Sequence, residues 1–105
     1  MSNAESAVTA TGFAACEKPE RYIQQLASHW SHKMATSYDE GDGMGVFPFS
    51  ELDNAVMTAR HGGIAITLTT ADAAQNEHLR AVIERHLDRF AFREAPLTYK
   101  WEEQQ

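Results

Sequence analysis

The chain has 105 residues, 43% hydrophobic and 23% charged, and nine Lys plus Arg stand against fifteen Asp plus Glu for a formal charge of -6. That describes one globular domain with a modest core. It is too short for a (β/α)₈ catalytic barrel, which needs roughly 200 residues or more, and its negative field repels nucleic-acid phosphates and anionic lipid surfaces. No apolar run approaches the ~20 residues that span a bilayer, no basic-then-apolar leader opens the chain, and the single cysteine, Cys16, can close neither an internal disulfide nor a four-thiolate zinc cage. The expectation is a cytoplasmic protein whose partners include neither nucleic acid nor membrane.

Residues 1–18 are small and polar, carry only Val8 and Phe13 as isolated large apolar residues, and follow neither the helical nor the strand period. They are read as a flexible tail, with Ser2-Asn3-Ala4 resembling the scar of tag removal, and residues 19–105 as a single domain. Pro19 suits a first helical turn, and Tyr22, Ile23, Leu26, Trp30 and Met34 recur at helical spacing up to residue 34. The segment Tyr38 to Gly45, YDEGDGMG, is a turn joining a strand around 35–38 to one around 46–49, which Pro48 would place at a sheet edge. Two β-rich runs follow, 55–60 and 64–69, hinged at His61-Gly62-Gly63. Asp72 with Gln75 three residues on signals an N-cap, and Leu79, Val82, Ile83, Leu87 and Phe90 mark a second helix. After Pro96, Leu97, Tyr99 and Trp101 alternate as a last strand.

These elements, in the order α-β-β-β-β-α-β, predict an α+β two-layer sandwich, with both helices on one face of a four- to five-stranded, mainly antiparallel sheet. Phe47, Phe49 and Met57 are candidates for apolar surface on the other face, which a second copy would cover, so a homodimer is expected.

His86 falls within roughly 20–40° of the apolar stripe of the second helix and should point inward. It is either a hydrogen-bonded core histidine or a ligand or acid-base group lining a pocket between helix and sheet. On the first helix, His29 and Lys33 flank the apolar stripe while His32 lies opposite its centre. His29 and His32 could grip a metal only weakly, because two imidazoles lack a third ligand, so no metal site is assigned. Glu40, Asp42, Gly45 and Glu51 fall at calcium-loop spacing, but Met44 stands where an oxygen ligand belongs, and a solvated hairpin turn explains the same residues. His78, Arg85 and Arg89, extended by Arg93, form a cationic edge that Glu77, Glu84 and Asp88 sit close enough to neutralise, or else a docking or anion-binding edge. Cys16 is read as an unreactive thiol. The sequence holds no nucleophile elbow, phosphate loop or dinucleotide fingerprint, and no cofactor is expected.

Three segments, RYIQQLASHWSHK at 21–33, YDEGDGMGVFPF at 38–49 and HLDRFAFREAPLTYKW at 86–101, resemble a small bacterial family known as a domain of unknown function, from about Arg21 to the end of the chain. Members of that family look like small soluble proteins, some encoded beside or fused to siderophore-interacting flavoprotein reductases. The resemblance implies a non-enzymatic accessory or binding role in siderophore and iron metabolism, with a small ligand or a flavoprotein reductase as partner. It places His29, His32, Lys33, His86, Arg89, Phe90, Phe92 and Arg93 among the functional positions. Some relatives carry the label of dihydroxyheptenedioic acid aldolase, but that chemistry belongs to metal-dependent barrels far longer than this chain. Two other readings stay open, a small enzyme using His86 as acid or base with His29 or Lys33 orienting an anionic substrate, and a purely structural dimerisation module.

Overall fold

The computed structural model describes residues 7–104; Ser2-Asn3-Ala4 lies outside them. The elements are β1 (Val8–Ala15), α1 (Pro19–Trp30), β2 (Ser37–Asp39), β3 (Met44–Pro48), β4 (Asn54–Arg60), β5 (Gly63–Thr70), α2 (Ala73–Phe90) and β6 (Thr98–Gln104). They form one antiparallel sheet of six strands in the order β2-β3-β4-β5-β1-β6, with α1 lying over β2 to β4 and α2 over β5 and β1. The α+β class, the two helices and the element order from α1 onward match the expectation, with six strands rather than four to five.

The extra strand is β1, built from residues that read as tail. Far from being loose, Val8–Ala15 runs between β5 and β6, pairing Val8 through Ala15 with Thr70 through Gly63 on one side and Thr9 through Ala15 with Gln104 through Thr98 on the other. Its pattern is muted because the inward positions, Ala10, Gly12 and Ala14, must be small. A Cβ built on Gly12 would lie 2.6 Å from the Trp101 ring. The alternation that identifies strands depends on large inward side chains, and here a neighbouring strand supplies them.

The other boundaries follow local chemistry. Asp72 caps α2 by accepting from the Gln75 amide at 2.8 Å. Gly62, at φ 87°, makes the turn between β4 and β5, a backbone conformation that favours glycine. Helix α1 stops at Trp30 instead of running to Met34. Ser31, Lys33 and Met34 turn their amides back onto the carbonyls of Ser28, Trp30 and Trp30, and the Thr36 hydroxyl donates to the Ala27 carbonyl. Pro48 does not put β3 at an edge, since β3 lies between β2 and β4. The three residues of β2 pair only as far as Val46, so the side of Pro48 that lacks an N–H meets no strand.

All core side chains sit on the helix face. Phe47, Met57, Ile64, Ile66 and Leu68 are fully or almost fully buried beneath Ile23, Leu26 and Trp30 of α1 and Leu79, Ile83 and Leu87 of α2. Phe47 and Met57, expected on the open face, are therefore core, and Phe49 packs against it. The open face carries the alternate positions, including Thr9, Thr11, Phe13, Val46, Val56, Thr67 and Thr69.

Buried polar groups pin the helices to the sheet. Asp53 accepts from the Ala71 amide (3.0 Å), the Ser50 hydroxyl (2.8 Å) and the Gln75 side chain (3.2 Å), tying the β3–β4 loop to the start of α2. Burial opposes its charge, but these donors together hold its carboxyl below the usual range. Asn76 is fully buried and donates to the Val8 and Leu68 carbonyls, so α2 is hydrogen-bonded to β1 directly. A chain shortened to begin at Lys18 should therefore lack a cooperative thermal transition by circular dichroism, because it exposes the facing edges of β5 and β6. A truncated chain that melts as the intact one does would remove β1 from the domain.

Candidate functional site

The two helices meet along a seam lined by rings. Arg21, Gln25 and His29 recur every four residues on one flank of α1, and His86 and Phe90 are spaced likewise on α2. The ring centroids of His29 and His86 are 5.4 Å apart, Phe90 stands edge-on to His29 at 5.6 Å, and Trp30 lies 4.8 Å from His86. Trp30, 3% exposed, is held from below by the edge-on rings of Phe47 and Phe49 at 5.8 and 5.2 Å. The floor of the seam thus belongs to the core, and its rim is imidazole.

His86 points inward as the helical wheel predicts, and it is half-buried. Its Nδ1 lies 2.8 Å from the Val82 carbonyl oxygen. Because a carbonyl can only accept, Nδ1 carries the proton, and in the neutral ring Nε2 keeps its lone pair. No ring separates His29 from His86. His32 and Lys33 lie beyond α1, in the turn of residues 31–34, and not on the helix. Arg89 occupies the last turn of α2; Phe92 and Arg93 follow it, in the turn before β6.

The charges around His29 are all of one sign. Desolvation holds its pKa below the ordinary histidine value, followed by repulsion from His86, Arg89, Lys33 and His32. Two of the three carboxylates expected to neutralise this edge are turned elsewhere. Glu84 accepts from the Trp101 indole at 2.7 Å, and Asp88 accepts from the Tyr99 hydroxyl at 2.8 Å and the Leu97 amide at 3.0 Å. Among the described residues the ion pair within 4 Å is Arg80 with Glu103, at 3.9 Å, so Arg85, Arg89 and Arg93 have no such partner there. The same residues hold no group of three His, Cys, Asp or Glu side chains placed to bind a metal ion.

At the Phe90 end the seam opens into a cleft of about 490 Å³, lined by Lys18, Arg21, Tyr22 and Gln25 on one side and Phe90, Phe92, Arg93 and Glu94 on the other, with Glu17 at its mouth. The Glu94 carboxylate accepts from the Tyr22 hydroxyl at 2.7 Å and from the Glu17 amide at 3.1 and 3.2 Å. That bond, with burial, pushes the Tyr22 hydroxyl up to about 12, so it stays a donor at neutral pH. Cys16, buried nearby, has its thiol pushed up to about 11 by burial and then by Glu94, which is the wrong direction for a nucleophile.

Gln25 and Glu94 were not singled out in sequence, and Tyr22 and Trp30 were read only as part of the apolar stripe of the first helix. Gln25 could have been found by stepping one turn back from His29, and Glu94 lies inside the third of the family-like segments. Lys18 and Arg21 gave no signal beyond their charge. The arrangement as a whole can bind an anion beside aromatic rings. If the cationic surroundings are as described, His29 should titrate by NMR below the ~6.5 of an unperturbed histidine, and Lys33→Gln and Arg89→Gln should each raise its midpoint. A midpoint that neither variant moves would contradict this electrostatic picture.

The fold is similar to that of PA4090 from Pseudomonas aeruginosa, solved by NMR, with a TM-score of 0.74 and 24% identity over 90% of this chain and 95% of that one. No curated protein matches the chain. Residues 11–102, from within β1 to within β6, match the model of a family described as uncharacterized protein conserved in bacteria. The chain belongs to that family, DUF2218.

Proposed function

We propose that this protein is a non-enzymatic binding module for a small anion held along the α1–α2 seam, and that it serves siderophore and iron metabolism in the cytoplasm. The observation that carries the reading is the cluster at the seam, where His29 and His86 stand beside the cations Lys33 and Arg89 and no carboxylate lies within 4 Å of either cation among the described residues. On a chain of charge -6 such cations without a close carboxylate are a local exception, and a bound anion would supply their counter-charge. Ferric siderophores bear anionic carboxylate or catecholate oxygens, and the likeness to domains encoded beside siderophore-interacting flavoprotein reductases supports testing them first, with such a reductase as the macromolecular partner. No helix among the described residues is long and apolar enough to cross a membrane. The homodimer expected from exposed Phe47, Phe49 and Met57 loses that basis, because Phe47 and Met57 are core and Phe49 packs onto it.

Calorimetric titration with a carboxylate and a catecholate ferric siderophore, ferric citrate and haem should give saturable binding for at least one. Lys33→Gln with Arg89→Gln should weaken it about tenfold or more. The affinity should climb as pH falls toward the lowered titration range of His29, since a bound anion favours the protonated form that its surroundings disfavour in the free protein. Absence of binding to all four, and to the reductase, would end this reading.

A second reading, an enzyme with His86 as acid or base, has one observation in its favour, the fixed Nδ1–H that leaves Nε2 available. It requires His86→Gln to abolish turnover of a seam-bound anion while leaving the melting curve intact; an unchanged rate would eliminate it.

A further inference from the structure

We propose that the cleft at the Phe92 end of the seam is a subsite for a hydroxylated aromatic carboxylate, one ring bearing a carboxylate and a neighbouring hydroxyl. The proposal rests on the reading of the seam as an anion site and names the class of ligand that its open end recognises. Three independent features of the lining select that class.

The first is charge. Lys18 and Arg21 enter from the start of α1 and Arg93 from the turn after α2, and none of the three is within 4 Å of a carboxylate among the described residues. Two guanidinium groups on opposite walls suit a carboxylate, whose two oxygens accept paired N–H donors. Glu17 and Glu94 also line the cleft and offset part of this charge, leaving three cations against two carboxylates, with Glu94 drawn toward the Tyr22 hydroxyl and the Glu17 amide. That acidic wall would repel a second carboxylate on the ligand, which limits the ligand to one.

The second feature is the pair of rings. Phe90 lines the cleft, and Phe92 beside it is 71% exposed, so its ring face is open to a ligand. The Arg93 guanidinium lies 5.9 Å from the centre of the Phe92 ring, so cation and aromatic face are presented together. A planar aromatic anion satisfies both at once, whereas a simple inorganic anion leaves the rings unused. At about 490 Å³ the cleft is large enough for one substituted ring.

The third feature is Gln25. Its Oε1 is buried and has no hydrogen-bond donor, an unfavourable state for an amide oxygen. The side chain forms part of the cleft wall, so turning its terminal torsion toward the cleft forfeits no existing bond of that oxygen and lets it accept from a ligand hydroxyl. A carboxylate between Arg21 and Arg93, with a hydroxyl toward Gln25 and the ring against Phe90 and Phe92, uses the whole lining.

The test is a set of titrations of the full chain followed by amide NMR, with salicylate, benzoate, cyclohexanecarboxylate and inorganic phosphate as probes. Salicylate is expected to bind saturably, with shifts confined to residues 17–25 and 90–94. Benzoate should bind roughly threefold or more weaker for want of the hydroxyl, and cyclohexanecarboxylate and phosphate weaker again. Gln25→Leu should erase the difference between salicylate and benzoate, and Phe92→Ala that between benzoate and cyclohexanecarboxylate. Arg93→Gln should weaken all the carboxylates together. Equal affinities for the three carboxylates, shifts outside the cleft, or a salicylate preference that survives Gln25→Leu would each overturn the proposal. If ferric chelates bind and Lys33→Gln with Arg89→Gln weakens them while salicylate does not bind, the subsite fails and the anion-binding reading stands. If neither class binds, both fail.

Discussion

Two helices have to cover one face of six strands, and most of this structure follows from that mismatch. Strands ~4.8 Å apart place the two outer strand axes of the sheet ~24 Å from one another, whereas two helices of ~10 Å diameter reach only ~20 Å across. The molecule seats α1 over β2 to β4 and α2 over β5 and β1, and leaves β6 without a helix. Large side chains on β6 close the gap. Tyr99 and Trp101 lie across the small residues Ala14 and Gly12 of β1 and hydrogen-bond upward to Asp88 and Glu84 of α2. Gly12 is required there because the indole occupies the space of its missing Cβ.

This arrangement also shapes the seam. Glu84 and Asp88 are drawn toward Trp101, Tyr99 and Leu97 on one flank of α2, and neither is within 4 Å of an arginine or histidine on the other. The site owes its charge to a strand that never touches it. Buried Asp53 and Asn76 fix the opposite end of α2 against the β3–β4 loop and β1, and so hold the helix that presents His86, Phe90 and Arg89.

How much of this could be read beforehand depended on the size of the inward side chains. Ile64, Ile66 and Leu68 alternate plainly, and Asp72 with Gln75 marks the start of α2, so those elements lie where the pattern places them. Strand β1 escaped because alanine and glycine alternate with threonine there and carry no amplitude. Period-two alternation also groups Phe47 with Phe49 without saying which face of the sheet they share, and the expectation of apolar surface on the uncovered face chose the wrong one. For the site, the helical wheel was enough to bring His86 inward, and the family likeness pointed to Arg89, Phe90, Phe92 and Arg93. The pairing of His29 with His86 was not legible, because it depends on the packing of two helices separated by four strands in the chain. The turn that moves His32 and Lys33 off α1 was hidden as well, since it is set largely by backbone bonds to Ser28 and Trp30, with the Ser31 and Thr36 hydroxyls on the Ser28 and Ala27 carbonyls.

Five of the nine Lys and Arg residues, Lys18, Arg21, Lys33, Arg89 and Arg93, lie along the seam or at its cleft end, and the remainder of the chain is correspondingly more negative than its net charge of -6 implies. Even with Glu17 and Glu94 at the cleft, cations outnumber carboxylates among these seam and cleft residues, so charge is unevenly distributed with the seam as its positive side. An approaching anion is deflected from most of the surface and drawn toward one groove, so its encounter rate is governed by direction more than by net charge. Such steering fades once the Debye length falls below the width of that positive side, which happens at a few tenths molar salt, where that length is well under ~10 Å. An acidic protein can in this way gather anions quickly in dilute electrolyte and lose that advantage as salt rises, with no change in its contacts.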